Sequence, residues 1–128
     1  MNRLFKFLIF TILFCILTSC NRTPQDKFKT AILIDSKDQN FGDCSNWFHF
    51  TVDSIELKNY LKDFEIKGNR PFDEIDFEFF CPQEAPTWWQ LDKLGKEMKA
   101  YRRDSDRGTE FFYVNKLMTE VYYQNTTK

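Results

Sequence analysis

Few residues of this chain have the types and spacing that catalysis requires. Glu74, Asp76 and Glu78 lie two positions apart, so on a strand their carboxylates would share one face. Such a face could bind calcium or act as an acid pair, although a solvated strand face explains the spacing more simply. His49 is the only histidine, and the sequence contains neither a Gly-rich phosphate loop nor a Gly-x-Ser-x-Gly elbow. We therefore predict that the chain is not an enzyme and that it uses no metal and no cofactor.

The segment 81–90 holds two prolines, a cysteine and two adjacent tryptophans. Adjacent residues of a helix point about 100° apart, so Trp88 and Trp89 cannot both occupy one buried stripe. Trp88 fits an apolar stripe at helical spacing that ends at Tyr101, and it is predicted to be a core residue. Trp89 lies off this stripe, and we predict that it is an exposed anchor for a protein or a sugar. Packing of Trp89 against the proline-bracketed loop 82–86 is the alternative.

Three tyrosines near the C-terminus are the second group of candidate binding residues. Tyr113 lies on one predicted strand, and Tyr122 and Tyr123 lie on the next. Tyrosine combines a large apolar ring with a polar hydroxyl, which suits it to interfaces. We predict that these rings form a second exposed aromatic patch, with Tyr122 and Tyr123 as the tentative binding residues.

The N-terminal residues are typical of an export signal. Two basic residues precede an almost wholly apolar run, 7–17, which is shorter than the roughly 20 residues that a bilayer crossing requires. The run closes on Leu17-Thr18-Ser19-Cys20, which resembles the lipobox of bacterial lipoproteins. The resemblance covers residues 1–20 only, and it implies cleavage before Cys20, diacylation of its sulfur and firm anchoring in a membrane. An ordinary signal peptide and an uncleaved anchor helix are the alternatives.

The predicted export signal determines which cysteines would remain free to form a disulfide. Cleavage would remove Cys15 and lipidation would occupy Cys20, which leaves Cys44 and Cys81. Two cysteines in an exported chain predict one disulfide, which would close a loop of roughly 40 residues and contribute about 3–4 kcal/mol. A pair of free thiols too far apart to join is the alternative.

Length and charge limit the domain organisation and the class of partner. The 128 residues carry a net charge of −1, so no basic surplus supports a nucleic-acid partner. We predict a signal peptide over 1–19, a lipidated tether over 20–27 and a single globular domain over 28–128. The tether is short, polar and contains a proline, which would keep the domain near the lipid surface.

Hydrophobic periodicity predicts five strands and two helices. The strands show alternating apolar positions, and the helices follow the capping residues Ser54 and Thr87. The predicted strands are 28–34, 47–53, 75–81, 111–114 and 121–123, and the predicted helices are 54–64 and 87–103. Hairpin-like neighbours and few long crossovers favour an α+β fold, a small antiparallel sheet of about five strands with two packed helices.

These features together predict a small lipid-anchored protein of the cell envelope, periplasmic or exposed at the surface. It would act by binding a protein or an envelope component, for example by neutralising an incoming toxin as an immunity protein or inhibitor does. The alternative is a sugar-binding module or a hydrolase that uses Trp88, Trp89, His49 and the carboxylates of Glu74–Glu78. Convergence of those groups on one cleft would favour this alternative.

Overall fold

The computed structural model describes residues 3, 23–37, 45–68, 70 and 85–127 of the chain. Within these residues, six strands form one antiparallel sheet in the order β1-β2-β6-β5-β4-β3. The helices are α1 (Pro24–Lys27) and α2 (Ser54–Leu61), and the strands are β1 (Ile32–Lys37), β2 (Ser45–Thr51), β3 (Glu65–Ile66), β4 (Lys99–Ser105), β5 (Gly108–Val114) and β6 (Glu120–Thr127). An antiparallel sheet with a packed helix agrees with the predicted α+β fold, although the sheet has six described strands rather than five.

The sheet carries apolar side chains on both faces, because successive residues of a strand point to opposite sides. On β5, Phe112 and Val114 belong to the first face, and Phe111 and Tyr113 belong to the second. The first face is covered by α2 and by the segment that precedes β1; its buried residues are Phe28, Phe48, Phe50, Val52, Leu57, Leu61, Phe64, Tyr101, Phe112, Val114, Met118, Val121 and Tyr123. The second face is covered by the segment 85–98; its buried residues are Leu94, Met98, Ala100, Phe111, Tyr113 and Tyr122.

The predicted helix 54–64 is present in a shorter form. Its cap is Asp53 rather than Ser54, because the Asp53 carboxylate accepts the backbone N–H groups of Ile55 (3.0 Å) and Glu56 (3.2 Å). The helix ends at Leu61 instead of Phe64. Its buried stripe still points into the first face of the sheet, as the helical spacing predicts.

The predicted second helix, 87–103, is wrong. Only Leu91–Leu94 forms a short 3-10 helix, which ends at Gly95 with a φ of 91°, a left-handed conformation that favours glycine. The chain then enters β4, where Ala100 faces the second core and Tyr101 faces the first. A glycine stop followed by this alternation produces a strand, although the apolar spacing across it also fits a helix.

The first strand begins four residues later than predicted. Phe28 is buried and packs on Phe50, with ring centroids 5.8 Å apart, but it does not join the sheet. The backbone N–H groups of Lys29 and Thr30 donate to the Glu56 carboxylate, so they are not available to a neighbouring strand. The strand therefore starts at Ile32.

The folded domain extends into the segment that composition assigns to the tether. Thr23 starts α1, and its hydroxyl donates to the Asp26 carboxylate at 2.8 Å. Pro24 is fully buried. Residues 23–27 of the predicted tether therefore belong to the folded domain.

Several predicted features lie outside the residues that the structure describes. They are the lipobox cysteine Cys20, the possible disulfide pair Cys44 and Cys81, the strand 75–81 and the carboxylates of Glu74–Glu78. In the part of the chain that the structure does describe, no helix is both long enough and apolar enough to cross a membrane.

Candidate functional site

The two tryptophans cover the second face of the sheet. The Trp89 ring meets Tyr122 edge-on at 5.3 Å between centroids and Tyr113 at 5.9 Å. Trp88 contacts Trp89 at 6.1 Å, and both indoles are half-buried. Both tryptophans pack against the buried residues of the second face, so the expected division between a core Trp88 and an exposed Trp89 is not observed. The helix that defined this division does not form.

The tyrosines predicted as an exposed patch are buried, so that expectation is wrong. Tyr122 and Tyr123 are each 1% exposed, and as neighbours on β6 they point to opposite faces. Burial raises the pKa of the Tyr122 hydroxyl, and nearby carboxylates add to the shift. The structure therefore brings Trp89 to Tyr122 but places Tyr123 on the other side of the sheet.

His49 is held on the same face as Tyr122. Its ring stacks on that of Tyr122 with centroids 4.2 Å apart and an interplanar angle of 5°. Its Nε2 atom lies 2.8 Å from Glu120 Oε1, and its Nδ1 atom lies 3.5 Å from Asp35 Oδ2. Both ring nitrogens therefore have carboxylate partners, and the imidazole links three neighbouring strands rather than presenting a free nitrogen to a substrate.

A group of charged and aromatic residues on the first face was not predicted from the sequence. Glu110 is at its centre: Oε1 accepts from Lys27 Nζ at 2.8 Å and from the Tyr123 hydroxyl at 2.9 Å. Its other oxygen, Oε2, accepts from Arg103 Nη2 at 2.7 Å and Nε at 3.0 Å. The Tyr60 hydroxyl also accepts from Arg103, at 2.9 Å. We call these five residues the Glu110 network.

The charges of the Glu110 network support one another. Burial acts to raise the pKa of Glu110, but the hydrogen bonds and positive charges of Lys27 and Arg103 outweigh it and hold that pKa below its usual range. Burial opposes the charged form of Lys27 as well, yet the carboxylate raises the pKa of its ammonium. Burial and the adjacent carboxylate raise the pKa of Tyr123. No local motif marks this network, because its members come from five separate elements.

A third feature is a set of exposed aliphatic side chains at one end of the sheet. Ile32 is 68% exposed, Ile55 69% and Leu117 70%. We call these three residues the aliphatic rim. The only sequence signal for any of them is that Ile55 falls off the buried stripe of α2.

Hydrogen bonds fix the three rim residues at the same end. Ile32 pairs with Thr51, the last residue of β2, and Ile55 lies in the first turn of the helix that follows. Leu117 lies in the turn between β5 and β6, which is joined to the end of β2 by a bond from Val52 N to Thr119 O of 2.9 Å. Thr51 points to the same side as His49 and Tyr122, so its partner Ile32 is turned to the second face, whereas Ile55 lies on α2, which covers the first face.

No protein-family model, curated protein or solved structure matches this chain. Among the residues that the structure describes, no three His, Cys, Asp or Glu side chains are grouped so that they could hold a metal ion.

Proposed function

We propose that this chain is a lipid-anchored protein of the cell envelope that acts by binding a protein partner. The observation that carries the binding proposal is the aliphatic rim. Single exposed aliphatic residues are ordinary on protein surfaces, but three at one end of the sheet, each about two thirds exposed, support a contact at that end. The anchoring part of the proposal is supported by Leu17-Thr18-Ser19-Cys20.

The pairing of the polar side chains with one another also supports binding over catalysis. His49 has a carboxylate at each ring nitrogen, and Glu110 accepts hydrogen bonds from four side chains. Groups that are already paired in this way stabilise the fold, whereas a general base needs a free position toward its substrate. A small anchored domain that neutralises an incoming protein would fit this arrangement.

The rival proposal, a sugar-binding module or a hydrolase, is supported by the half-buried pair of Trp88 and Trp89. Trp89 meets two sheet tyrosines edge-on, so Trp88 is the better candidate for stacking on a sugar ring. Titration of the purified protein with soluble cell-wall oligosaccharides, followed by tryptophan fluorescence, tests this rival. Saturable quenching that Trp88→Ala removes would favour it.

Two measurements test the proposed function. Fatty-acid labelling and cell fractionation should place the wild-type protein in the membrane, and Cys20→Ser should lose both the label and the membrane association. Co-purification from gently solubilised native membranes should yield a stoichiometric protein partner. A labelled, membrane-bound chain that purifies alone under cross-linking conditions would contradict the binding proposal, and an unlabelled chain would contradict the anchoring proposal.

A further inference from the structure

Three carboxylates lie around Tyr122 on the second face of the sheet. The strand register aligns Asp35, His49 and Tyr122 across β1, β2 and β6, and Glu120 lies two residues before Tyr122 on the same face. Burial raises the pKa of the Tyr122 hydroxyl, and the negative charges of Glu120, Asp35 and Asp92 each raise it further. We call Asp35, Asp92 and Glu120 the carboxylate cluster.

The described donors do not satisfy the carboxylate cluster. His49 contacts one oxygen of Glu120 at 2.8 Å and one oxygen of Asp35 at 3.5 Å, and a neutral imidazole has only one N–H to donate. Even a protonated imidazole would leave the second oxygen of each carboxylate without a donor. Within the described part of the chain, no lysine or arginine pairs with any member of the cluster. The cluster therefore suits a cation that comes from outside the domain.

The Tyr122 hydroxyl independently indicates a ligand. The residue is only 1% exposed, yet no group among the described residues forms a hydrogen bond with this hydroxyl. A buried hydroxyl without a partner is costly, so such groups are nearly always paired with protein, water or a ligand. A cationic donor that bound the nearby carboxylates would have the Tyr122 oxygen as a further acceptor.

The arrangement favours a planar organic cation over a metal ion. The cluster does not qualify as a metal site, because the described residues contain no three His, Cys, Asp or Glu side chains grouped closely enough. A cation with several N–H groups can span such a wider set of acceptors. The rings of His49 and Trp89 both contact Tyr122, and a guanidinium stacks on aromatic rings as well as donating to carboxylates through a planar fork.

We propose that the carboxylate cluster binds the guanidinium group of an arginine side chain that the protein partner presents. This inference rests on the proposed binding function and names the chemistry of one contact. The guanidinium donates to the free carboxylate oxygens and to the Tyr122 hydroxyl, and it lies beside the half-buried indole of Trp89. The Asp35 and Glu120 side chains are 40% and 35% exposed, so a partner can reach them from solvent.

A titration of the purified full chain with N-acetyl-L-arginine amide tests the site without knowledge of the partner. We expect the indole N–H resonance of Trp89 and the backbone resonances of Asp92 and Glu120 to shift saturably in heteronuclear NMR spectra. The dissociation constant should be on the order of 1 mM, because the ligand is small and the site is partly exposed. N-acetyl-L-citrulline amide has the same shape without the charge, and it should bind at least about tenfold more weakly.

Matched variants show whether the cluster makes the contact. Glu120→Gln and Asp92→Asn each remove one charge and keep the shape, and each should weaken the binding of the arginine probe by about threefold to tenfold. Asp92 is exposed and has no hydrogen-bond partner among the described residues, so Asp92→Asn should fold normally, which thermal unfolding verifies. Glu65→Gln is the control, because Glu65 is exposed on β3 at the opposite edge of the sheet, and it should leave probe binding unchanged.

The same variants separate this inference from the proposed function. The double variant Asp92→Asn/Glu120→Gln should retain at least about fivefold less of the partner that co-purifies with the wild-type chain. Absence of probe binding, equal binding of the arginine and citrulline probes, insensitivity to both substitutions, or undiminished partner retention would overturn the arginine site. Arginine-specific binding by a chain that purifies without any protein partner would instead contradict the proposed function, and with it a partner as the source of the guanidinium.

Discussion

Glu110 provides the sharpest test of how this domain is stabilised. Replacing it with Gln keeps the shape and one acceptor oxygen but removes the negative charge that faces Lys27 at 2.8 Å and Arg103 at 2.7 Å. The side chains of Glu110 and Lys27 are 17% and 18% exposed, so water can replace the lost charge only in part. Glu110→Gln should therefore destabilise the domain.

The size of the effect follows from this exposure. Breaking a buried ion pair costs about 3–5 kcal/mol, whereas exposed pairs contribute about 0–1 kcal/mol. The carboxylate is mostly buried, but Arg103 is 43% exposed, so we expect an intermediate loss of about 2–3 kcal/mol. For a domain of this size, that loss lowers the Tm by roughly 10–20 °C.

Thermal unfolding followed by circular dichroism at neutral pH measures this change. Glu97→Gln is the matched control, because Glu97 also forms a 2.8 Å ion pair, with Lys116, but both side chains are about two thirds exposed. The control should lose less than about 1 kcal/mol. Equal melting temperatures for the two variants would refute the assignment of stability to the Glu110 network.

The pH dependence provides a second measurement of the same network. The pKa of Glu110 is lowered in the folded state, so below its ordinary value of 4.5 the unfolded chain takes up the proton first. The wild type then loses the contribution of Glu110 as the pH falls from about 4.5 through the folded-state pKa, and Glu110→Gln has no such contribution to lose. The stability difference between them should shrink in acid, and a difference that stays constant from pH 7 to pH 3 would contradict this account.

Three further predictions concern the other candidate residues. Trp89→Ala should cost about 2–4 kcal/mol of stability and more than Trp88→Ala, because the Trp89 ring packs on two sheet tyrosines; equal thermal shifts would show that the two indoles pack equally well. Cys20→Ser should abolish fatty-acid labelling and release the protein from the membrane fraction, and unchanged labelling would exclude the lipobox assignment. Alkylation of Cys44 and Cys81, followed by mass spectrometry, should modify them only after reduction, and modification without reductant would exclude the disulfide.

The elements that local patterning specifies were predicted well from the sequence. Strict alternation predicts β2 and the β5–β6 hairpin, and helical spacing predicts α2, because each of these patterns is completed within about ten residues. Where one segment fits both helical spacing and strand alternation, the local pattern alone did not predict the correct element. The segment up to Tyr101 fits helical spacing, but Gly95 and the pairing of β4 with β5 make it a strand.

The candidate sites depend on contacts between residues far apart in the sequence. The Glu110 network joins positions 27, 60, 103, 110 and 123, and the aliphatic rim joins positions 32, 55 and 117. Periodicity shows which residues of one element share a face, but it contains no information on which distant elements lie beside that face. The export signal stays a prediction from the sequence, and sequence alone can predict it because such a signal acts as a linear segment. The burial of Tyr122 and Tyr123 and the position of the rim were decided by the tertiary structure, since the order of the strands determines which side chains are covered and which stay in solvent.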